Sequence, residues 1–466
     1  MPYFLIQNFS QGLDARMSPA TLPPGALRYA NNVHVTRGGE LQKRKAFVPH
    51  ITLPPGSVGL ASERDSLLVF GNGAQALPAG VKWVNVGGVP ERLMDSTRWR
   101  TSHVSSILMA DGTRKIFHGD VEAVWTFMVD ETAGIAATKP GPLRTYKSTV
   151  YAGESGNFFT CELHNPSAWG PGYLGSEVVD IGQESEFMAK MNAISVFQGT
   201  LVLFSEDGIQ VWEVDPDPNL NVLKASLSNT GCLSPRTVLN FGNFDVVFLA
   251  KSGIRSLKAR QATDIMNVED IGTPVDDFVS QLISTVTPDA VRFKAFSVVE
   301  PESSRLWVSL GDIIMVHSYY NGSDISAWST YTPGFTVDGM AVLGPDTFIR
   351  SGDTIYRYGG VDRLTYDTCK AEVWTPFHHA EKPATQKAFT GFDVGCEGQW
   401  LVKVAADPTR TDVVETVGTV TNTTFNEPNQ AMSAWTTHLS LVLECTDAKA
   451  STLTNLAMHY TEGAAA

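Results

Sequence analysis

The sequence predicts an all-β protein built around a β-propeller of about six or seven blades, and three observations predict it. One strand–turn–strand pattern occurs twice, over Leu201–Trp212 and Val246–Leu257. Each copy is an apolar run, a polar turn closed by glycine, and a second apolar run. Gly208 and Gly253 stand 45 residues apart, a shift that lays Leu203 on Phe248, Phe204 on Leu249, Ile209 on Ile254 and Trp212 on Leu257. A hairpin recurring every ~40–50 residues has the spacing of propeller blades. Five more segments carry the pattern: Ser66–Phe70 into Gly71-Asn72-Gly73, Lys115–Asp120 with Ala123–Phe127, Ser148–Gly153 with Asn157–Phe159, Arg305–Leu310 with Ile313–Val316, and Thr347–Arg350 with Thr354–Tyr356. Composition agrees: 40 glycines, 25 prolines and only 18% charged residues suit many short strands joined by tight turns.

Residues 1–50 read as an extended N-terminal arm. Gln11–Arg16 and Leu22-Pro23-Pro24-Gly25 are turn-rich. A hairpin follows: Val33–Thr36, the turn Arg37-Gly38-Gly39, and Glu40–Phe47. Without apolar periodicity of its own, the segment is expected to order by adding strands to a neighbouring copy or another ring. The alternative is that it supplies the closing strand of the propeller. Residues 51–365 then hold the blades, which begin near residue 57. One segment within them reads as a helix near 274–284. Pro274 stands at its first position, Asp276-Asp277 in its first turn, and Val275, Phe278, Val279, Leu282 and Ile283 share a face. Residues 366–466 read as an antiparallel β-sandwich. Its strands are Ala371–Trp374, Phe389–Val394, Trp400–Val404, Val413–Val420, His438–Cys445 and Leu453–Tyr460, and Leu439, Leu441 and Leu443 alternate toward a core.

Net charge is −14, with the balance uneven. Arg16, Arg28, Arg37, Lys43, Arg44 and Lys45 against Asp14 and Glu40 leave residues 1–50 at +4, so residues 51–466 carry −18. An acidic body argues against tight nucleic-acid binding by the whole surface. No cationic segment followed by an apolar stretch opens the chain, and no run of 18 apolar residues occurs. Neither a cleaved signal nor a membrane anchor is therefore expected. The five cysteines, Cys161, Cys232, Cys369, Cys396 and Cys445, form no close pair and are expected to be reduced thiols.

No catalytic constellation stands out. Gly71-Asn72-Gly73-Ala74-Gln75-Ala76 matches a dinucleotide-binding pattern, but Pro78 and Gly80 oppose the helix it needs, so a hairpin turn is expected. Asp215-Pro216-Asp217-Pro218-Asn219 begins like a calcium loop, yet Leu220 and Ser226 stand where glycine and glutamate belong. His378-His379, His438 and His459 lack a completing ligand set. Glu184, Glu186, Glu206 and Asp207 could supply a glycosidase pair, as could many of the 49 acidic residues, so that signal is empty. No catalytic, metal or cofactor-binding residue is assigned, and no enzyme or cofactor is expected.

The order of motifs resembles a known family. The arm reads Phe9-Ser10-Gln11-Gly12-Leu13-Asp14-Ala15-Arg16, then Pro24-Gly25, Asn32-Val33 and Gly39-Glu40-Leu41-Gln42-Lys43-Arg44. Further on come Gly231-Cys232, Gly253–Leu257 and Ile271-Gly272-Thr273-Pro274-Val275. This series resembles the tail nozzle (tail tubular protein B) and packaged-DNA stabilisation proteins of short-tailed bacteriophages, over nearly the whole chain. The length suits the smaller stabilisation-type members. The resemblance implies a virion tail protein assembled in the host cytoplasm. It implies a homo-oligomeric ring, usually of six copies, below the portal–adaptor ring. That ring would carry tail fibres, tailspikes or a needle and let genomic DNA pass without sequence-specific binding. Arg16, Arg37, Lys43, Arg44 and Lys45 are the candidate partner-docking residues of the arm. The alternative class is a free propeller that binds glycans or host receptors through Trp and Tyr on its blades; a secreted glycosidase is a third.

Overall fold

In the computed structural model, the twin segments that predict a propeller are two hairpins of matching register. Phe204 pairs with Ile209 across one turn and Leu249 with Ile254 across the other, the positions that the 45-residue shift superposes. Phe204 and Phe248 meet with ring centroids 5.1 Å apart. Both strands are buried on both faces, which is why they read as unbroken apolar runs rather than alternating ones. The structure describes residues 2–463 apart from 64, 72–74, 86–94, 101–104, 111–116, 121–123, 127–140, 155, 171, 183–185, 243–244, 258–269 and 426–429.

Blade follows blade around a ring. The innermost strands are Val58–Glu63, Asp95–Arg100, Leu143–Tyr146, Met191–Phe197, Leu239–Phe241, Ala295–Glu300 and Gly339–Leu343. The last of these neighbours the first, closing the ring. Among the described residues, five of the seven sheets have four or more strands, and those led by Val58–Glu63 and Leu239–Phe241 have three. In the first blade Val81–Asn85 runs parallel to Ser66–Gly71. The hairpin turn expected at Gly71-Asn72-Gly73 falls on Asn72, Gly73 and Ala74, which lie outside the described residues. The chain before the ring completes the last blade. Phe47–Thr52 pairs antiparallel with Thr354–Tyr358, so the closing strand does come from the N-terminal side.

The predicted helix is present as α1, Asp276–Thr285, entered through the turn Thr273–Val275. Val275 and Val279 are buried, with Phe278, Leu282 and Ile283 packed against the same core. A second helix, α2 at Pro288–Lys294, follows directly. Its signal was in the sequence: Thr287 caps the Ala290 N–H, Pro288 takes the first position and Asp289 the first turn.

The free arm is corrected by the structure. Tyr29–Asn31 lies between the outer strand of the sixth blade, Ile325–Tyr331, and Ala371–Trp374 of the C-terminal part. From there one 16-stranded sheet runs through Ser440–Cys445, Lys387–Ala405 and Thr452–Glu462 to the N-terminal hairpin Leu41–Lys43 and Val33–Val35. Tyr3–Ile6 pairs with Thr452–Glu462 as well. Ile6, Phe9, Leu27, Val33 and Leu41 share one core with Leu441, Leu443, Leu453, Leu306 and Val279. The segment shows no apolar period because it fills a core built by others, one side chain at a time. The propeller and the C-terminal part are therefore fused through residues 1–46. Within the latter, the two strands expected at Phe389–Val394 and Trp400–Val404 are one 19-residue strand with bulges near Gly391 and Cys396.

Candidate functional site

The cations that the sequence offered for docking mostly face inward. Lys43 Nζ is caged by the backbone carbonyls of Asp367, at 2.8 Å, and Asp447. Arg44, 2% exposed, donates to Asn32 Oδ1 at 2.8 Å, to Lys45 O at 2.8 Å and to Asp367 Oδ2 at 3.1 Å. Lys45 Nζ meets Glu302 Oε1 at 2.7 Å. Lys43, Arg44 and Lys45 are thus corrected: within this chain they tie the N-terminal hairpin to the sixth blade and to residues 367 and 447. They do not form a free cationic patch. Only Arg16, loosely paired with Asp14 at 3.6 Å, and Arg37, exposed with its guanidinium 5.5 Å from the Tyr320 ring, remain on the surface.

A relay of neutral and charged donors completes this junction. Arg305, buried with Glu300 at 3.1 Å, donates to Tyr331 Oη at 3.4 Å. Tyr331 reaches His34 Nδ1 at 2.8 Å, and His34 Nε2 meets Gln42 Oε1 at 3.2 Å. The neutral Nε2–H tautomer satisfies both contacts. Burial, then the Arg305 charge, holds the His34 pKa well below its ordinary value.

The other sequence candidates separate in space. Glu206 and Asp207 both pair with Lys251, at 3.0 and 2.8 Å. Glu184 and the Glu186 side chain lie outside the described residues. His459 pairs with Asp393 at 2.7 Å, His379 stacks edge-on against His438, and His378 packs on Phe4. Among the described residues no cluster of three metal-ligating side chains forms. All five cysteines are free thiols, four of them buried.

Two hollows escaped sequence reasoning. A rim hollow of about 840 Å³ lies between the Gly172–Glu177 loop and the Asp215–Asn219 loop. Tyr173 and Leu174 stand exposed on it. The calcium-like loop spends its acceptors locally: Asp215 takes the Asp217 N–H, and Asp217 takes the Asn219 N–H and amide. Burial, then the Asp217 charge, raises the pKa of Glu177 beside it. The second hollow, about 580 Å³, is touched by the innermost strands of six blades and so lies on the propeller axis. Its polar lining is Ser62, Ser96, Arg144, Thr145, Arg236 and Ser297. Only Arg144 and Thr145 are neighbours in sequence, and no local motif announces the set.

No family model and no curated protein matches the sequence. Among solved structures, the chain is similar to BamB from Moraxella catarrhalis at 10% identity and a TM-score of 0.36, covering 67% of this chain and 96% of that one. It is similar to a functionally unknown protein from Desulfotomaculum acetoxidans at 11% identity and a TM-score of 0.39, covering 68% and 92%. It is also similar to the extracellular domain of a one-component system from B. thetaiotaomicron at 9% identity and a TM-score of 0.41, covering 80% of this chain and 48% of that one.

Proposed function

We propose that this chain is a structural protein of a short-tailed phage tail, forming a ring below the portal–adaptor that seals the head and conducts DNA at ejection. The observation that carries the reading is the ordered series of motifs, together with where its residues lie. Gly12 packs on the Trp328 backbone, and its Cβ would lie 2.6 Å from the Trp328 carbonyl oxygen. Asn32 and Arg44 bond each other, and Arg255 grips Asp276 beside Pro274 with two hydrogen bonds of 2.6 and 2.9 Å. The Ala15 N–H donates to the Pro274 carbonyl at 2.8 Å. Several of these motifs, far apart in sequence, thus meet where residues 1–46 join the propeller to the C-terminal part, and that shared place supports the reading.

Electrostatics supports the same reading. With Lys43, Arg44 and Lys45 turned inward, the acidic excess of a chain at −14 is left to face solvent. A conduit for DNA gains from walls that repel phosphate. The fused junction also suits a part that bears load.

Mass photometry of the purified chain, alone and with a portal–adaptor complex, tests the proposal. Rings on the complex support it; a chain that stays monomeric in both mixtures defeats it. One observation favours a second reading, a free glycan-binding propeller. An exposed Tyr173 beside Asp215, Asp217 and Asn219 places an aromatic face next to hydrogen-bonding groups, the composition of a sugar platform. Glycan binding by a monomer, lost in Tyr173→Ala, would select it.

A further inference from the structure

We propose that the rim hollow between the third and fourth blades receives the turn 361–364 of a second copy of this chain. The inference rests on the ring reading above and names the contact that would build the ring. Among the described residues, the three most exposed large apolar side chains are Leu174 at 76%, Val361 at 74% and Leu364 at 67%. Leu174 stands on the hollow, and the other two stand on the turn, which also carries the exposed cation Arg363. Apolar side chains this exposed, set beside charge of opposite sign on the two features, mark an interaction surface.

The two features lie on opposite sides of the propeller. Loop 172–177 leads into Val178–Asp180 of the third blade, and loop 215–219 joins Gly208–Glu213 to Val222–Ser228 of the fourth. The turn follows Thr354–Tyr358 of the last blade. With seven blades in sequence order, the last lies three blades from the third one way round and three from the fourth the other way. Patches so placed cannot meet within one chain. Between copies they meet head to tail, the contact that makes a ring when its rotation closes.

Both sides are built before they touch. The turn is clamped at its base: the Gly359 N–H donates to the Ala46 carbonyl at 2.7 Å, and the Thr365 N–H to the Gly359 carbonyl at 2.9 Å. Asp362 Oδ1 accepts the Leu364 N–H and the Thr365 hydroxyl, both at 3.0 Å. Arg363 meets no carboxylate among the described residues. The hollow offers Glu177, Asp215 and Asp217 and, among the described residues, no cation. Lys147 is spent on the neighbouring Val214 carbonyl, at 2.7 Å. Glu177 Oε2 is buried with no hydrogen-bond partner among the described residues. A buried acceptor left unpaired is costly, and an arriving guanidinium relieves it. Leu163, Tyr173 and Pro218 supply apolar wall for Val361 and Leu364.

Cysteine cross-linking and mass photometry of the full chain, with a portal–adaptor complex present, test the contact. Leu174→Cys and Leu364→Cys, purified separately, should cross-link through a short bis-maleimide when mixed and not when alone. A head-to-tail contact sets position 174 of one copy against position 364 of the next. Four of the five native thiols are buried, which keeps the background low. Arg363→Glu and Leu174→Asp, both at exposed positions, should each weaken assembly about tenfold, or ~1.4 kcal/mol. Glu177→Lys should restore assembly to the Arg363→Glu chain. Circular dichroism and melting establish that each variant is folded. Parent rings without the mixed cross-link, or folded Arg363→Glu and Leu174→Asp assembling like the parent, overturn this contact and leave the ring reading standing. A parent that stays monomeric and gives no cross-link defeats both. A glycan bound by that monomer and lost in Leu174→Asp gives the hollow to a sugar and overturns the contact.

Discussion

The Arg44 guanidinium donates to the Asn32 side-chain oxygen at 2.8 Å, joining two residues of the N-terminal segment across its hairpin. The same oxygen accepts the Thr332 N–H at 3.0 Å, and the Asn32 amide donates to the Lys370 carbonyl at 2.8 Å. Asn32 itself sits at φ 56°, a conformation asparagine tolerates. One pair thus fixes the N-terminal segment against the end of the sixth blade and the start of the C-terminal part.

Arg44→Ala should cost about 2–3 kcal/mol, since it orphans the Lys45 carbonyl and part of Asn32 while opening a void. The Asp367 carboxylate, 37% exposed, can rehydrate and adds little. Arg44→Lys should recover less than half, because an ammonium cannot reach all three acceptors. Urea unfolding measures both; a loss below about 0.5 kcal/mol for the alanine variant would contradict the clamp.

His34 should make stability fall in acid. Its folded pKa is depressed, so the unfolded chain binds the proton first. Stability is then full above pH ~6.5 and declines as pH drops below it. His317, lowered to about 4, and His378, lowered to about 3, act with the same sign, both through burial. Each contributes up to about 1.4 kcal/mol per pH unit within its window. Urea unfolding near pH 7 and near pH 5 measures the slope, and His34→Gln should reduce it. Equal stability at the two pH values would contradict these assignments.

The hairpins were legible because each carries its own register signal: Phe204 with Ile209 and Leu249 with Ile254 stand in the same relation to glycine. Helix α1 was legible because Pro274 and Asp276-Asp277 mark its start. The fate of the arm was not. A lysine ordinarily reads as solvated, and the carbonyls that cage Lys43 belong to residues 324 and 404 positions away. The axial hollow was hidden for the same reason. Arg144, on the strand Leu143–Tyr146, and Arg236, in the turn Pro235–Thr237, are ordinary residues until ring closure brings them to one hollow.

Gly12→Ala should be far more damaging than a glycine change in an open turn. Gly12 has φ +63°, and a Cβ there meets the Trp328 backbone at 2.6 Å. A loss of about 3 kcal/mol or failure to fold is expected. Gly344, at φ +58° with nothing near its missing Cβ, should lose only about 1 kcal/mol as alanine. Comparable melting temperatures for the two variants would argue against close packing of the Gly12 turn.

The thiols should be slow to react. Burial pushes Cys161 and Cys369 up to about 12, and Cys396 up to about 11, so little thiolate exists near neutral pH. A colorimetric thiol reagent should find all five only after denaturation. A native thiol reacting as fast as free cysteine would overturn this.

Removal of residues 1–46, keeping the closing strand Phe47–Thr52, tests most directly whether the N-terminal segment is built into the fold. It would delete the strand between the sixth blade and Ala371–Trp374, and with it Ile6, Phe9, Leu27, Val33 and Leu41 from the shared core. Differential scanning calorimetry should find a chain that does not fold, or one melting more than about 10 °C lower, with the propeller and C-terminal part unfolding separately. A single transition at the parent temperature, with only particle incorporation lost, would contradict the account and restore a free docking arm.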